Sequence, residues 1–177
     1  MSDLFDKVTS DQDPFTKLLG KIPGFKGYIE RSSRRAADKV LRDQIVTEFT
    51  VAHKRIGDLQ QDFASSGELM YLDDLEKAAM KIQTFMDKVS AAAYGYSGFF
   101  DAIKINEEEL AKIYEFDVAL LDSADEISRA IDNVEASIGT DGLPAAVRHL
   151  VGLSRDLVTA YERRDEVVTA ISAESAE

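Results

Sequence analysis

Apolar residues recur every three or four positions along most of the chain, which is the spacing of one face of an α-helix. Four segments carry such a stripe, at about residues 28–63, 67–94, 107–138 and 143–173. The stripes advance by about 3.5 residues per step, as in helices that pack side by side like a coiled coil. No segment alternates apolar and polar residues in the manner of a half-buried strand. The pattern therefore predicts an all-α protein.

The connections between these segments indicate how the helices are arranged. Residues 64–66 and 140–142 form short links, and a short link makes the helices that it joins antiparallel neighbours. The middle link, residues 95–105, is longer. We expect an antiparallel, up-down-up-down four-helix bundle over residues 28–177. A coiled-coil dimer is the alternative, because both architectures use the same apolar spacing.

The first 27 residues have a different pattern from the bundle. Pro14 favours the first turn of a short helix over residues 14–22, since proline fits the first helical position. Its apolar face consists of Phe15, Leu18, Leu19 and Ile22. Lys17 and Lys21 lie beside that face. We interpret residues 1–27 as a tail with a short amphipathic helix, and residues 14–27 as a segment that folds with the middle link over one end of the bundle as a lid.

Two charged residues occupy positions where the apolar stripes call for apolar side chains. Asp117 lies 21 residues before Ile138, and Arg164 lies 21 residues after Leu143. If Ile138 and Leu143 are level at the turn between the third and fourth helices, the two charges meet across the core. We expect a buried ion pair that fixes helix register more than it adds stability, because desolvation offsets the attraction.

One end of the predicted bundle is rich in arginine, aromatic residues and glycine. Level counting brings the start of the first helix, the end of the second and the start of the third to this end. Arginine binds carboxylate or phosphate, and aromatic rings bury large areas with little loss of entropy. We expect the lid and the link over residues 95–105 to cover this end, and a partner or anion site there is the alternative; the two do not exclude each other. The candidate residues are Tyr28, Arg31, Arg34, Arg35, Tyr94, Tyr96, Phe99 and Phe100.

The run from Ile22 to Tyr28 reads Ile-Pro-Gly-Phe-Lys-Gly-Tyr, and Arg31, Arg34 and Arg35 follow it. This opening resembles that of an uncharacterised bacterial family of helical-bundle proteins. The resemblance covers about a quarter of the chain. It implies a helical fold and no known activity, so no functional residue is carried over.

Charge and composition narrow the classes of function. Residues 17–55 carry ten basic and four acidic residues, a net charge of +6, whereas residues 56–177 carry ten basic and twenty-five acidic residues, a net charge of −15. The acidic remainder argues against nucleic acid as a partner. The chain has no cysteine, and neither His53 nor His149 follows a glutamate by three positions, as bundle metal sites require. We expect no enzyme activity, no metal and no cofactor.

These observations favour a non-enzymatic adaptor or scaffold that acts through an unknown protein partner. The acidic N-terminus has no apolar run of the secretory type, so a cytoplasmic location is expected. The alternative is a peripheral protein that uses its basic amphipathic N-terminal segment on an anionic membrane surface, such as the inner membrane. Apolar positions outside the stripes, such as Leu121, leave a homodimer open.

Overall fold

The computed structural model describes residues 14–22, 34–95 and 107–174, with side chains over 16–22, 39–92 and 111–171. Every regular element in these residues is a helix, which confirms the predicted all-α bundle. The elements are α1 (Pro14–Lys21), α2 (Arg34–Ser66), a 3₁₀ turn (Leu69–Tyr71), α3 (Leu72–Gly95), α4 (Glu107–Ser137) and α5 (Leu143–Glu174). No helix in the described part of the chain is long and apolar enough to cross a membrane.

Glycine ends two of the long helices. Gly67 follows α2 with φ +85°, and Gly139 lies just beyond α4 with φ +76°. This left-handed conformation carries little penalty for glycine and ends a helix. At the first turn, the Glu68 N–H donates to the Phe63 carbonyl oxygen at 2.9 Å, which satisfies a carbonyl that has no partner further along the helix.

The second long helix begins later than its apolar stripe predicts. The stripe suggested a start at residue 67, but a 3₁₀ turn over Leu69–Tyr71 precedes α3, which begins at Leu72. The left-handed Gly67 reverses the chain, and Asp73 and Asp74 then fall in the first turn of α3, where carboxylates suit the helix dipole. The predicted start of the first helix, residues 28–33, lies outside the described residues.

The four long helices alternate in direction, but their order around the bundle is not the order of the chain. α2 packs against α3 and α4, and α5 packs against the same two helices. Arg55 of α2 binds Asp132 at 2.6 Å and Glu135 at 3.0 Å, so α2 and α4 lie side by side and run parallel. α3 and α4 therefore stand on a diagonal of the bundle.

The core lies where the apolar stripes of the four long helices pack against one another. Phe49 of α2 and Phe85 of α3 lie edge to face with ring centroids 4.7 Å apart, and Phe85 meets Tyr161 of α5 at 5.6 Å. Both phenylalanines are fully buried. Such pairs add to the free energy gained by burying the rings.

The short helix α1 is present, but it does not lie over the end of the bundle. It packs against the side of α4, where Lys21 reaches Asp122 at 2.7 Å and Asp125 at 3.3 Å. Leu18 and Ile22 are buried. The lid interpretation is therefore wrong for residues 14–22, because an apolar and acidic face on α4 provides a better partner than the end of the bundle.

Phe85→Ala tests the aromatic centre of the core. We expect the free energy of unfolding to fall by about 3–5 kcal/mol, because the substitution empties a closed site between three helices. Chemical denaturation measures it, with Met80→Ala on the same helix as the control. Met80 is 60% exposed, so its loss should cost under about 0.5 kcal/mol. Equal losses for the two variants would contradict this packing.

Candidate functional site

The end of the bundle at which α3 ends and α4 begins is here called the crossover end. The start of α2 at Arg34, the end of α3 at Gly95 and the start of α4 at Glu107 all lie there, as level counting predicted. Arg34, Arg35 and Tyr94 belong to these helix ends by their backbone, and their side chains lie outside the described set. The other candidates from the sequence also fall outside the described residues: Tyr28, Arg31, Tyr96, Phe99 and Phe100.

A buried ion pair lies in the core toward the crossover end. Arg164 Nε donates to Asp117 Oδ1 at 2.7 Å, and its Nη2 donates to Oδ2 at 3.4 Å. The two side chains are 3% and 1% exposed. The structure thus contains the pair that level counting from the α4–α5 turn predicts. The two-point contact fixes the rotation of both helices as well as their register.

Two further polar side chains surround this pair. Arg42 of α2 is 8% exposed, and Tyr161 of α5 is 5% exposed. The Tyr161 hydroxyl donates to the Lys88 carbonyl oxygen of α3 at 3.2 Å. We call Arg42, Asp117, Tyr161 and Arg164 the polar layer; each of the four long helices supplies a residue to it or binds one of its members. Sequence analysis missed Arg42 and Tyr161, because it followed only the central line of each stripe.

The environment of Tyr161 raises the pKa of its phenol. Burial is the main cause, since the ionised ring would lose its water. The positive charges of Arg164 and Arg42 oppose the shift, whereas Asp165 and Asp117 add to it. The layer therefore holds a neutral phenol among three charged side chains.

A groove between α2 and α3 opens beside the polar layer. Its volume is about 390 Å³. Lys39 and Arg42 bring positive charge to it and Asp43 one negative charge, and Val46 and Val89 give it an apolar floor. We call it the basic groove; its lining residues are Lys39, Arg42, Asp43, Val46, Thr47, Val89 and Ser90. It lies within about two turns of Arg34 and Arg35, so the described surface continues toward the predicted site.

Two other grooves lie along the bundle, and each contains one histidine. His53 lies between α2 and α3 with Glu76, and His149 lies between α4 and α5 with Arg129. Among the side chains that the structure describes, no three acidic or histidine residues come together as a metal site would need. The sequence identifies no charged catalytic partner for either histidine.

The docking of α1 bears on the membrane alternative. The apolar residues Leu18 and Ile22 are buried, so this face is not exposed to a lipid surface in the observed conformation. The carboxylates of Asp122 and Asp125 hydrogen-bond the Lys21 ammonium, which raises its pKa against the opposing effect of burial. Membrane binding through α1 would first require its release from α4.

Comparison with known proteins adds no assignment to this geometry. No family model, curated protein or solved structure matches the chain. The resemblance of its opening residues to an uncharacterised helical family stays a prediction. A functional interpretation therefore depends on the crossover end and the grooves described above.

Removing one partner of the buried ion pair should be costly. Asp117→Ala leaves the Arg164 charge in the core, so we expect the free energy of unfolding to fall by about 3–5 kcal/mol. The double variant Asp117→Leu/Arg164→Met removes both charges, and should recover at least about 2 kcal/mol of that loss. Denaturant titration measures all three. The control is Asp132→Ala, whose exposed ion pair should contribute no more than about 1 kcal/mol. A double variant as unstable as the single one would contradict the analysis.

Tyr161 should ionise above the ordinary pH range of a tyrosine. Because its pKa is higher in the folded chain than in the unfolded one, its stabilising effect is complete below about pH 10 and is lost as pH rises through the folded pKa. The difference between the absorbance titrations of the unaltered chain and of Tyr161→Phe isolates this phenol. Its midpoint should lie at a higher pH in the folded chain than in denaturant. Equal midpoints in the two conditions would contradict the burial of this ring.

Proposed function

We propose that this protein is a non-enzymatic, cytoplasmic adaptor that binds a protein partner at its crossover end. The observation that carries the proposal is the basic groove, in which a lysine and an arginine flank an apolar floor between α2 and α3. Such a groove suits a segment that presents acidic residues next to apolar ones. The arginine and aromatic residues predicted for this end extend the same chemistry.

The charge of the groove supports an acidic partner segment. Lys39 is exposed and Arg42 is largely buried, and both side chains line the groove. Residues 56–177 carry a net charge of −15, so the rest of the molecule repels an acidic partner. Long-range attraction and repulsion together would direct such a partner toward this end and raise its association rate.

The apolar floor of the groove favours a partner that is anchored by an apolar side chain. Val46 is half-buried and Val89 is 1% exposed, so an apolar side chain that entered would displace water from a surface already closed on one side. A small anion gains nothing from these valines. The combination favours a peptide over a free anion.

The non-enzymatic part of the proposal rests on composition. The chain has no cysteine for nucleophilic chemistry and only two histidines, which lie on different helix pairs. Two of the three buried charged residues that the structure describes, Asp117 and Arg164, form an ion pair whose atoms face each other instead of a cleft. These groups fit a role in binding and positioning a partner better than a role in proton transfer.

Affinity capture with quantitative mass spectrometry tests the proposal. We expect the double variant Lys39→Glu/Val46→Ser to capture at least about tenfold less of any partner that the unaltered chain retains. The variant reverses the charge of Lys39 and removes an apolar contact. The triple variant Arg31/Arg34/Arg35→Ala should weaken binding of the same partner. Lys81→Glu is the matched control, since Lys81 is exposed on α3 outside the basic groove.

A partner retained in this way is then purified and titrated against the same variants. Loss of binding with Lys81→Glu but not with Lys39→Glu/Val46→Ser would overturn the assignment of the groove. Circular dichroism of each variant separates a lost contact from a lost fold.

A further inference from the structure

The helix α1 is attached to the bundle by apolar side chains and by one ammonium group. It has eight residues and packs against α4. Leu18 is fully buried and Ile22 is 3% exposed, while Lys17 on the same helix is exposed. Its contact therefore includes two buried apolar side chains one turn apart, the partly buried Leu19, and the ammonium group of Lys21.

The surface of α4 that receives α1 is built to match it. Positions 118 and 120 fall on nearly opposite sides of a helix, and Leu120 lies in the core stripe. Val118 nevertheless is only 8% exposed, and Leu121 is 5% exposed. Asp122 and Asp125 lie on the same face as these two residues, three or four positions away, and both bind Lys21. The outer face of α4 thus combines an apolar strip with an acidic edge.

We propose that α1 is a displaceable occupant of a helix-docking surface on α4. The surface would accept, in place of α1, a short helix of the same chemistry from a partner protein: two apolar side chains one turn apart with a lysine beside them. This inference goes beyond the adaptor role proposed above, because it concerns the outer side of α4 and a basic ligand instead of the basic groove and an acidic one.

The energetics of α1 favour exchange over permanent attachment. A helix of eight residues is marginal in water, so α1 depends on α4 for its conformation. Its ion pairs involve Asp122 and Asp125, whose side chains are 55% and 64% exposed, so water and salt weaken them. Release of α1 breaks its contacts with α4, whereas the contacts among the four long helices do not involve it.

The test uses the full-length chain and a labelled synthetic peptide of residues 12–24 as the probe. In the unaltered protein, α1 occupies the surface at the high effective concentration of a tethered segment. In Leu18→Asp, the altered α1 can no longer bury its face, so the surface is free. We expect the peptide to bind Leu18→Asp at least about tenfold more tightly than the unaltered chain. Amide shifts should locate it at Val118, Leu121, Asp122 and Asp125.

Two controls keep the result interpretable. Lys17→Asp changes charge on the exposed side of α1, so it should leave peptide binding as weak as in the unaltered chain. Ile22→Asp alters the buried face at a second position and should act like Leu18→Asp. A peptide that itself carries Leu18→Asp should bind none of these chains.

The proposal is overturned if the peptide binds the unaltered chain and Leu18→Asp equally, or if it binds neither. It is also overturned if the shifts map to the basic groove instead of α4. Amide spectra of each variant establish that the four long helices are intact. The first two of these failures leave the capture experiment above unaffected, because Lys39 and Val46 line the groove between α2 and α3 and not the surface of α4.

Discussion

The register between helices is the constraint on which the rest of the structure depends. The turn after α4 is so short that Ser137 and Leu143 must lie at the same level, and every pair of residues further along α4 and α5 is then fixed. Asp117 and Arg164 meet for this reason, at 2.7 Å. A slip by one residue would leave two opposite charges buried apart, which costs far more than the pair contributes when it is formed.

The helices and their core stripes could be predicted from the sequence, because a burial pattern with a period of 3.5 residues has few other solutions. The order of the helices around the bundle could not. Counting along a helix gives its level but not its lateral neighbour, and the bond from Arg55 to Asp132 that makes α2 and α4 adjacent joins residues outside the central stripes. The delayed start of α3 was hidden for a related reason, since Leu69 and Met70 are apolar but are exposed in a 3₁₀ turn.

The candidate site was predictable to the same limited extent. Level counting brought the ends of α2, α3 and α4 together and paired Asp117 with Arg164. It gave no reason to bury Arg42, because a basic residue next to a stripe is normally a surface residue. The basic groove also escaped notice, since it depends on the gap between two helices and not on the spacing within either. To predict the docking of α1 on α4, one would have to know that Val118 and Leu121 face away from the centre of the bundle.

The uneven charge of the chain acquires a physical meaning from these contacts. Among the described side chains, acidic residues match the basic region of residues 17–55 at Lys21, through Asp122 and Asp125, and at Arg55, through Asp132 and Glu135. Both of these matches are on α4, whose outer face is therefore acidic. The basic groove lies on the other side of α2, against α3. Under the two proposals, a basic helix and an acidic segment would be drawn to different sides of the same bundle, and both surfaces could be occupied at once without competing for the same charges.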